Sequence, residues 1–233
     1  MLLSPRLQLI ADLVKSGSVL ADIGTDHGYV PVYCVMNEKC KKAIAMDVNM
    51  LPLKKAEENI EKYGLTDRIT TRLSNGLEAL EQGEADSVVI AGMGGLLIRN
   101  ILEEGKKALC ENTQLILQPM LAQKELRQYL YSNGYDIENE YVCREEDKFY
   151  NIICACVKTL EAPPSDKDIV LGKNADINSP EVYMEYLDYK YGVCQKIING
   201  MKKSKNPDEA ELESICRDNE IIEKERVRFS EGK

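Results

Sequence analysis

Apolar runs of strand length, each halted by glycine, acid, amide or proline, recur through the first 120 residues and leave few folds open. They are Ser18-Val19-Leu20-Ala21-Asp22-Ile23-Gly24, Ala43-Ile44-Ala45-Met46-Asp47, Ser87-Val88-Val89-Ile90-Ala91 and Gln114 to Leu117, joined by a more polar strand from Ile69 to Leu73 that stops before Asn75-Gly76. A strand with one wet face alternates apolar and polar residues, whereas a continuous run reads as a strand covered on both faces. Segments with helical spacing lie between them: Leu53 to Tyr63, a stretch running to about Leu109, and Gln123–Ser132. Ser4-Pro5 reads as an N-cap and first-turn proline, opening a helix with Leu7, Ile10, Leu13 and Val14 on one face. Five such strands alternating with helices predict an α/β fold, a parallel sheet between two helical layers. Tyr135–Cys143 and Phe149–Val157, joined by the charged turn Arg144 to Lys148, predict an antiparallel hairpin that adds two edge strands.

Beyond Thr159 the pattern changes. Glu161 to Asn178, with Pro163-Pro164 and Gly172, reads as a surface linker. Ser179-Pro180 and Asn206-Pro207 then each start a helix. The first puts Val182, Tyr186, Tyr189, Val193, Ile197 and Met201 on one stripe. The second does so with Leu212, Ile215, Cys216, Asn219, Ile222 and Arg226, and the two should pair as an antiparallel helical hairpin. The expected division is a domain over residues 1–160, then a linker and helical hairpin over 161–233.

Several function classes drop out. No run approaches the ~18 apolar residues of a membrane span. Met1 to Arg6 lacks the basic segment and long apolar run of an export signal, so a cytoplasmic location is expected. The eight cysteines are dispersed, with no C-x-x-C pair, and read as reduced, packed thiols. With His27 the single histidine and no zinc-type spacing, no metal site is expected. The formal charge is −9 and neither part of the chain is basic, which at the level of composition counts against nucleic acid.

The chemistry concentrates in Asp22-Ile23-Gly24-Thr25-Asp26-His27-Gly28, where the first strand ends. A ligand crossing the carboxyl ends of parallel strands needs a turn tight enough for backbone to approach it. In dinucleotide folds that turn reads G-x-G-x-x-G and a helix N-terminus faces a diphosphate. Here Asp22 and Asp26 bracket Gly24; carboxylates repel a diphosphate but suit a ligand carrying an ammonium and a sulfonium, so S-adenosylmethionine is the expected cofactor. Thr25 and Gly28 complete its loop. Asp47, with Val48, ends the second strand where a carboxylate can bind ribose hydroxyls, although aspartate there is often only a helix cap. Asn75-Gly76 stands where adenine would lie, or is a plain turn. Ala91-Gly92-Met93-Gly94-Gly95 carries three glycines in four positions, poor for strand or helix, and implies close approach of something large to the backbone.

Residues Ala21 to Pro31, Ala91 to Gly95 and Leu117-Gln118-Pro119 resemble the bacterial tRNA adenine(22)-N1 methyltransferases, class I S-adenosylmethionine enzymes with a Rossmann-like sheet. Ser4-Pro5-Arg6-Leu7, Glu146-Asp147 and Tyr150 share in the likeness, which covers residues 1–160. Beyond them the likeness is only in kind, since that family carries a C-terminal helical extension of coiled-coil type. Three residues depart from its pattern: Met120 for an expected Asn, Gly28 for a frequent Ala, Asp47 for a frequent Glu. The resemblance implies methylation of adenine N1 in tRNA. On that reading Asp26, His27, Tyr29 and Met93 are the catalytic candidates, and Gly92 joins the cofactor residues while its carbonyl and that of Met93 accept from the exocyclic amine. Arg6, Gly94, Gly95, Arg99, Gln118 and Pro119 face the acceptor. Lys202, Lys203 and Lys205 at the hairpin tip, with Arg226 and Arg228, would meet phosphates despite the acidic chain. A monomer is favoured. Two other readings stay open: a methyltransferase for another RNA or a small molecule, and a nucleotide-binding module whose hairpin recruits a protein without turnover.

Overall fold

A computed structural model describes residues 1–158, 162–204 and 206–231; the boundary expected at 160 and the candidate Lys205 lie outside the described residues. Seven strands form one sheet: β1 (Ser18–Ile23), β2 (Cys40–Asp47), β3 (Ile69–Leu73), β4 (Ser87–Met93), β5 (Gln114–Pro119), β6 (Tyr135–Glu145) and β7 (Lys148–Val157). Their order across the sheet is β3-β2-β1-β4-β5-β7-β6. β1 to β5 pair in parallel, and β7 runs antiparallel to both β5 and β6. The expected hairpin is there, but of its two strands β6 alone lies at a sheet edge, because β7 inserts between it and β5. The sheet grows one way from β1 and the other way from β4. The crevice above that reversal is where ligands bind in such folds.

The continuous apolar runs owe their pattern to two cores. Ala21, Ile23, Val88, Ile90, Leu115 and Leu117 pack into one layer. Their alternates Leu20, Val89 and Ile116 pack into the other. Helices α1 (Pro5–Leu13), α2 (Tyr29–Met36), α3 (Met50–Lys62), α4 (Gly95–Glu104) and α5 (Gln123–Ser132) flank the sheet. α2 carries no periodic signal: Val30, Pro31, Val32, Cys34 and Val35 are all buried, so no polar face remains to reveal a helix. α4 ends at Glu104, short of the expected Leu109, and a 3-10 turn follows at Lys106–Ala108.

The segment read as a linker is built into the molecule. It forms α6 (Asp166–Val170) and α7 (Ala175–Asn178), the first opened by a Ser165 capping box with Asp168. The fully buried Arg127 of α5 pairs with the fully buried Glu140 of β6 at 2.9 Å. Its guanidinium also donates to the carbonyls of Ile169 and Val170 at 3.1 and 3.3 Å. Two long helices complete the chain, α8 (Pro180–Lys203) and α9 (Glu209–Glu231), packed on one another. The stripe expected on α8 holds at Tyr186 and is otherwise displaced by about one residue. Tyr183, Tyr186, Leu187 and Ile198 are buried, while Tyr189 and Ile197 are 50% and 43% exposed. The displacement follows from a third cluster in which the start of α8 meets Val142 of β6 as well as Ile222 of α9. On α9 Asn219 and Ile222 are buried as expected, and so is Glu225, which Arg228 and Lys167 neutralise.

Candidate active site

β1 stops at Ile23 because Gly24 turns the chain at φ +73°. The amides of Gly24 and Thr25 both donate to the carbonyl of Met46 at 2.8 Å, clamping the loop to the end of β2. Gly28, at φ +66°, starts α2. A Cβ there would press on Ala56 at 3.1 Å, so the alanine common in the resembled pattern would crowd α3. The loop borders a cavity of about 580 Å³ at the carboxyl ends of the strands.

The expected cofactor residues Asp22, Gly24, Asp47, Val48, Asn75, Gly76 and Gly92 line this cavity, and so do Asp26, Tyr29, Met93 and Arg6. Asp22 is 7% exposed. Burial pushes its carboxyl up to about 6, the Asp47 carboxylate adds to that, and the neighbouring Thr25 hydroxyl opposes it. That hydroxyl is itself buried without a hydrogen bond of ordinary geometry, so Thr25 supports the loop from beneath instead of lining the cavity. Asp47 serves both roles considered for it. One oxygen caps the turn into α3 by accepting the Asn49 amide at 2.7 Å, and the residue still lines the cavity. The Asn75 amide donates to Glu78 at 3.0 Å, and Ser74 braces Gly76 and Ala79, so this wall is prebuilt.

Across the cavity, Met93 lies over Gly24; a Cβ on Gly24 would collide with the Met93 methyl. Gly24 is therefore required twice, by its backbone angle and by this contact. Tyr29 and His27 stack with ring centres 5.2 Å apart and planes 2° from parallel. His27 holds φ +61°, its carbonyl accepts the Asn59 amide at 2.9 Å, and its Nε2 stands 3.4 Å from the Asp26 carboxylate. His27 does not line the cavity; it supports Tyr29 and Asp26 at its mouth.

Several candidates on the acceptor side are corrected. Gln118 is fully buried and Pro119 is covered with it, so neither presents a side chain to a ligand. Gly95 is also buried: its amide donates to the Leu121 carbonyl at 2.8 Å, and a Cβ there would strike the Ala122 carbonyl. Gly94 packs beneath Leu121. The Met93 carbonyl already accepts the Met120 amide at 2.8 Å, which weakens its case as an acceptor for a ligand amine. Arg99 turns to its neighbour Asn100. Lys202 and Lys203 are exposed at the far end of α8, a helix of 24 residues and so about 36 Å long. Sequence reasoning missed Leu7, Asn49, Ser74 and Leu97 among the lining residues. Leu7, Asn49 and Ser74 each adjoin a flagged residue, which is the signal that could have found them; Leu97, in the first turn of α4, had none.

Burial disfavours the charged form of Asp22, and a cationic group of a ligand in the cavity would offset that. Two glycines at positive φ, Gly24 and Gly92, let backbone approach, and the exposed Val48 and Leu97 give a flat heterocycle apolar flanks. Among the described residues, Arg6 is the only basic side chain lining the cavity. The residues present fit S-adenosylmethionine and do not fit a diphosphate. Among the described residues no group of His, Cys, Asp and Glu could hold a metal ion, and no helix is long and apolar enough to cross a membrane.

Comparison with known proteins agrees with this geometry. A family model described as a methyltransferase domain matches residues 3–153. The tRNA (adenine(22)-N(1))-methyltransferase of Bacillus subtilis is 43% identical over 153 residues, which span 66% of this chain and 64% of that relative. The crystal structure of the Bacillus subtilis M1A22 tRNA methyltransferase TrmK superposes with a TM-score of 0.85 at 31% identity, covering 97% of this chain and 99% of that one. Mycoplasma capricolum TrmK, solved with the cofactor product S-adenosyl-homocysteine, gives 0.82 at 33% identity over 97% and 99%. The similarity runs through the helical hairpin as well as the sheet, and the chain belongs to the S-adenosylmethionine-dependent tRNA (adenine(22)-N1)-methyltransferase family.

Proposed function

We propose that the chain transfers the methyl group of S-adenosylmethionine to N1 of the adenine at position 22 of tRNA. The observation that carries this reading is the buried Asp22 carboxyl behind Gly24, in a cavity whose opposite wall is the glycine turn after β4. S-adenosylmethionine, when bound, supplies an electrophilic methyl on a sulfonium. Asp22 holds the ammonium end, Asp47 the ribose hydroxyls, and Asn75 with the Gly76 peptide the adenine. Thr25 and Gly28 shape the loop between them.

On the acceptor side, neutral adenine presents N1 as a free lone pair, so no strong base is required; alignment is what the enzyme must provide. Tyr29, backed by His27, offers an aromatic face to the base. Met93 and the Gly92 backbone border the path between donor and acceptor. The purine becomes cationic as the bond forms, and Asp26, whose side chain is 78% exposed at the mouth, offsets that charge. Residues 1–160 carry this chemistry, while 161–233 hold the tRNA. Lys202 and Lys203 supply positive charge that the net −9 otherwise withholds. The chain acts as a monomer in the cytoplasm.

The test is incubation with unmodified tRNA and labelled donor, followed by nucleoside analysis. 1-Methyladenosine should form with A22 present and vanish when A22 is replaced by G. Asp26→Ala should lower the rate about a hundredfold or more while S-adenosylhomocysteine affinity stays within about tenfold. Labelled product that is not 1-methyladenosine, or no product, sinks the reading.

A further inference from the structure

The turn after β4 is held by side chains of β5 and α1. The β4–β5 register shifts between Ala91 and Met93, and Gly92 sits in that irregularity at φ +76°. A bulge deprives the extra residue of its ladder partner. The Gly92 amide donates instead to the side-chain oxygen of Gln118 at 3.1 Å, and the same oxygen accepts from the Arg6 guanidinium at 2.6 Å. One buried oxygen thus joins β4, β5 and α1. With both donors on Oε1, the carboxamide can adopt only one orientation, and its nitrogen points to the Met120 sulfur at 3.5 Å.

Arg6 is tied down in turn. Its backbone amide donates to Glu145 at 3.1 Å, and its guanidinium lies 5.2 Å from the centre of the Tyr150 ring. The chain of contacts runs from the β6–β7 hairpin through Arg6 and Gln118 to Gly92, then to Met93 resting on Gly24. A direct contact between Arg6 and the reacting base would place a cation beside a purine that becomes cationic, which opposes transfer. A role through Gln118 carries no such cost.

We propose that Arg6 and Gln118 are positioning residues for methyl transfer. Together they fix the Gly92–Met93 turn, and hence the line along which the acceptor meets the donor. Without Arg6 the carboxamide oxygen keeps one donor instead of two, the side chain is less firmly held, and the turn loosens. This rests on the methyltransferase reading above.

The experiment compares Arg6→Met, Gln118→Leu, the double variant and Gln118→Glu, which keeps an oxygen for both donors. Single-turnover rates at saturating donor and tRNA should fall about thirtyfold in each single variant, because a small misplacement at a reacting centre is costly. S-adenosylhomocysteine affinity by calorimetry should stay within about threefold, since Gln118 is fully buried and the Arg6 guanidinium, although it borders the cavity, is engaged by Gln118 and Tyr150. The double variant should be no worse than either single, and Gln118→Glu should recover most of the rate. In chains labelled with methyl-13C methionine, the Met93 signal should shift in both single variants and return in Gln118→Glu. Additive losses, a parallel collapse of donor affinity, or an unmoved Met93 signal would each overturn the proposal. A wild-type chain that makes no 1-methyladenosine defeats the functional reading instead, and the Met93 signal still decides the joint.

Discussion

Asp22 does two opposed things. Its proton is held more tightly in the folded chain, at about 6 against an ordinary 3.8, so its ionisation works against folding. The penalty is absent below about pH 4, grows through the window up to about 6, and above it is on the order of 3 kcal/mol. Asp22→Asn should therefore raise the urea midpoint of the ligand-free chain at pH 8 while abolishing tight S-adenosylhomocysteine binding. In the parent chain that affinity should be flat above pH 7 and fall as pH drops through about 6; equal calorimetric affinity at pH 5 and pH 8 would contradict the role. Gly24→Ala should remove donor affinity as well, since it strains a positive φ and strikes Met93. Asp22, Gly24 and Asp47 were legible in the sequence because a strand end fixes where such residues point. Gln118 and His27 were not. Their types suggested ligand contact, and only packing decides that one is covered and the other stands behind Tyr29.

Among elements, the joint of α5, β6 and α6 carries the clearest energetic prediction. Arg127 and Glu140 are both fully buried and paired. Removing one partner strands the other charge, so Arg127→Met or Glu140→Gln should cost about 3–5 kcal/mol by urea unfolding. The double change Arg127→Met with Glu140→Leu should cost less than either, because no charge is left unpaired. The elements the sequence disclosed were those with a contrast to read: continuous runs for two-sided strands, amphipathic spacing for α3 and α5. α2 has no such contrast because nearly every face is covered. α6 and α7 are too short for periodicity, with 5 and 4 residues. The α8 stripe slipped by one residue because that helix answers to two neighbours at once.

At the scale of the whole molecule, the parallel sheet and its antiparallel addition followed from strand count and spacing, while the strand order and the seating of the C-terminal helices did not. Nothing in residues 162–178 signals that carbonyls there complete the hydrogen bonds of an arginine 42 and 43 residues upstream. Reversing charge at the hairpin tip, Lys202→Glu with Lys203→Glu, should weaken tRNA binding and flatten its dependence on salt by about two counterions. S-adenosylhomocysteine affinity should not change; an unaltered salt slope would remove the tip from tRNA recognition. A chain ending at residue 158 should unfold at lower urea, by about 3 kcal/mol or more, because Arg127 loses two acceptors and Val142 loses its cover. The buried Arg127 also bears on synthesis. A nascent polypeptide has made every strand by Val157, yet the acceptors at Ile169 and Val170 are still to come. Ribosomes stalled before that point should display a protease-sensitive far edge, which becomes resistant once α6 emerges.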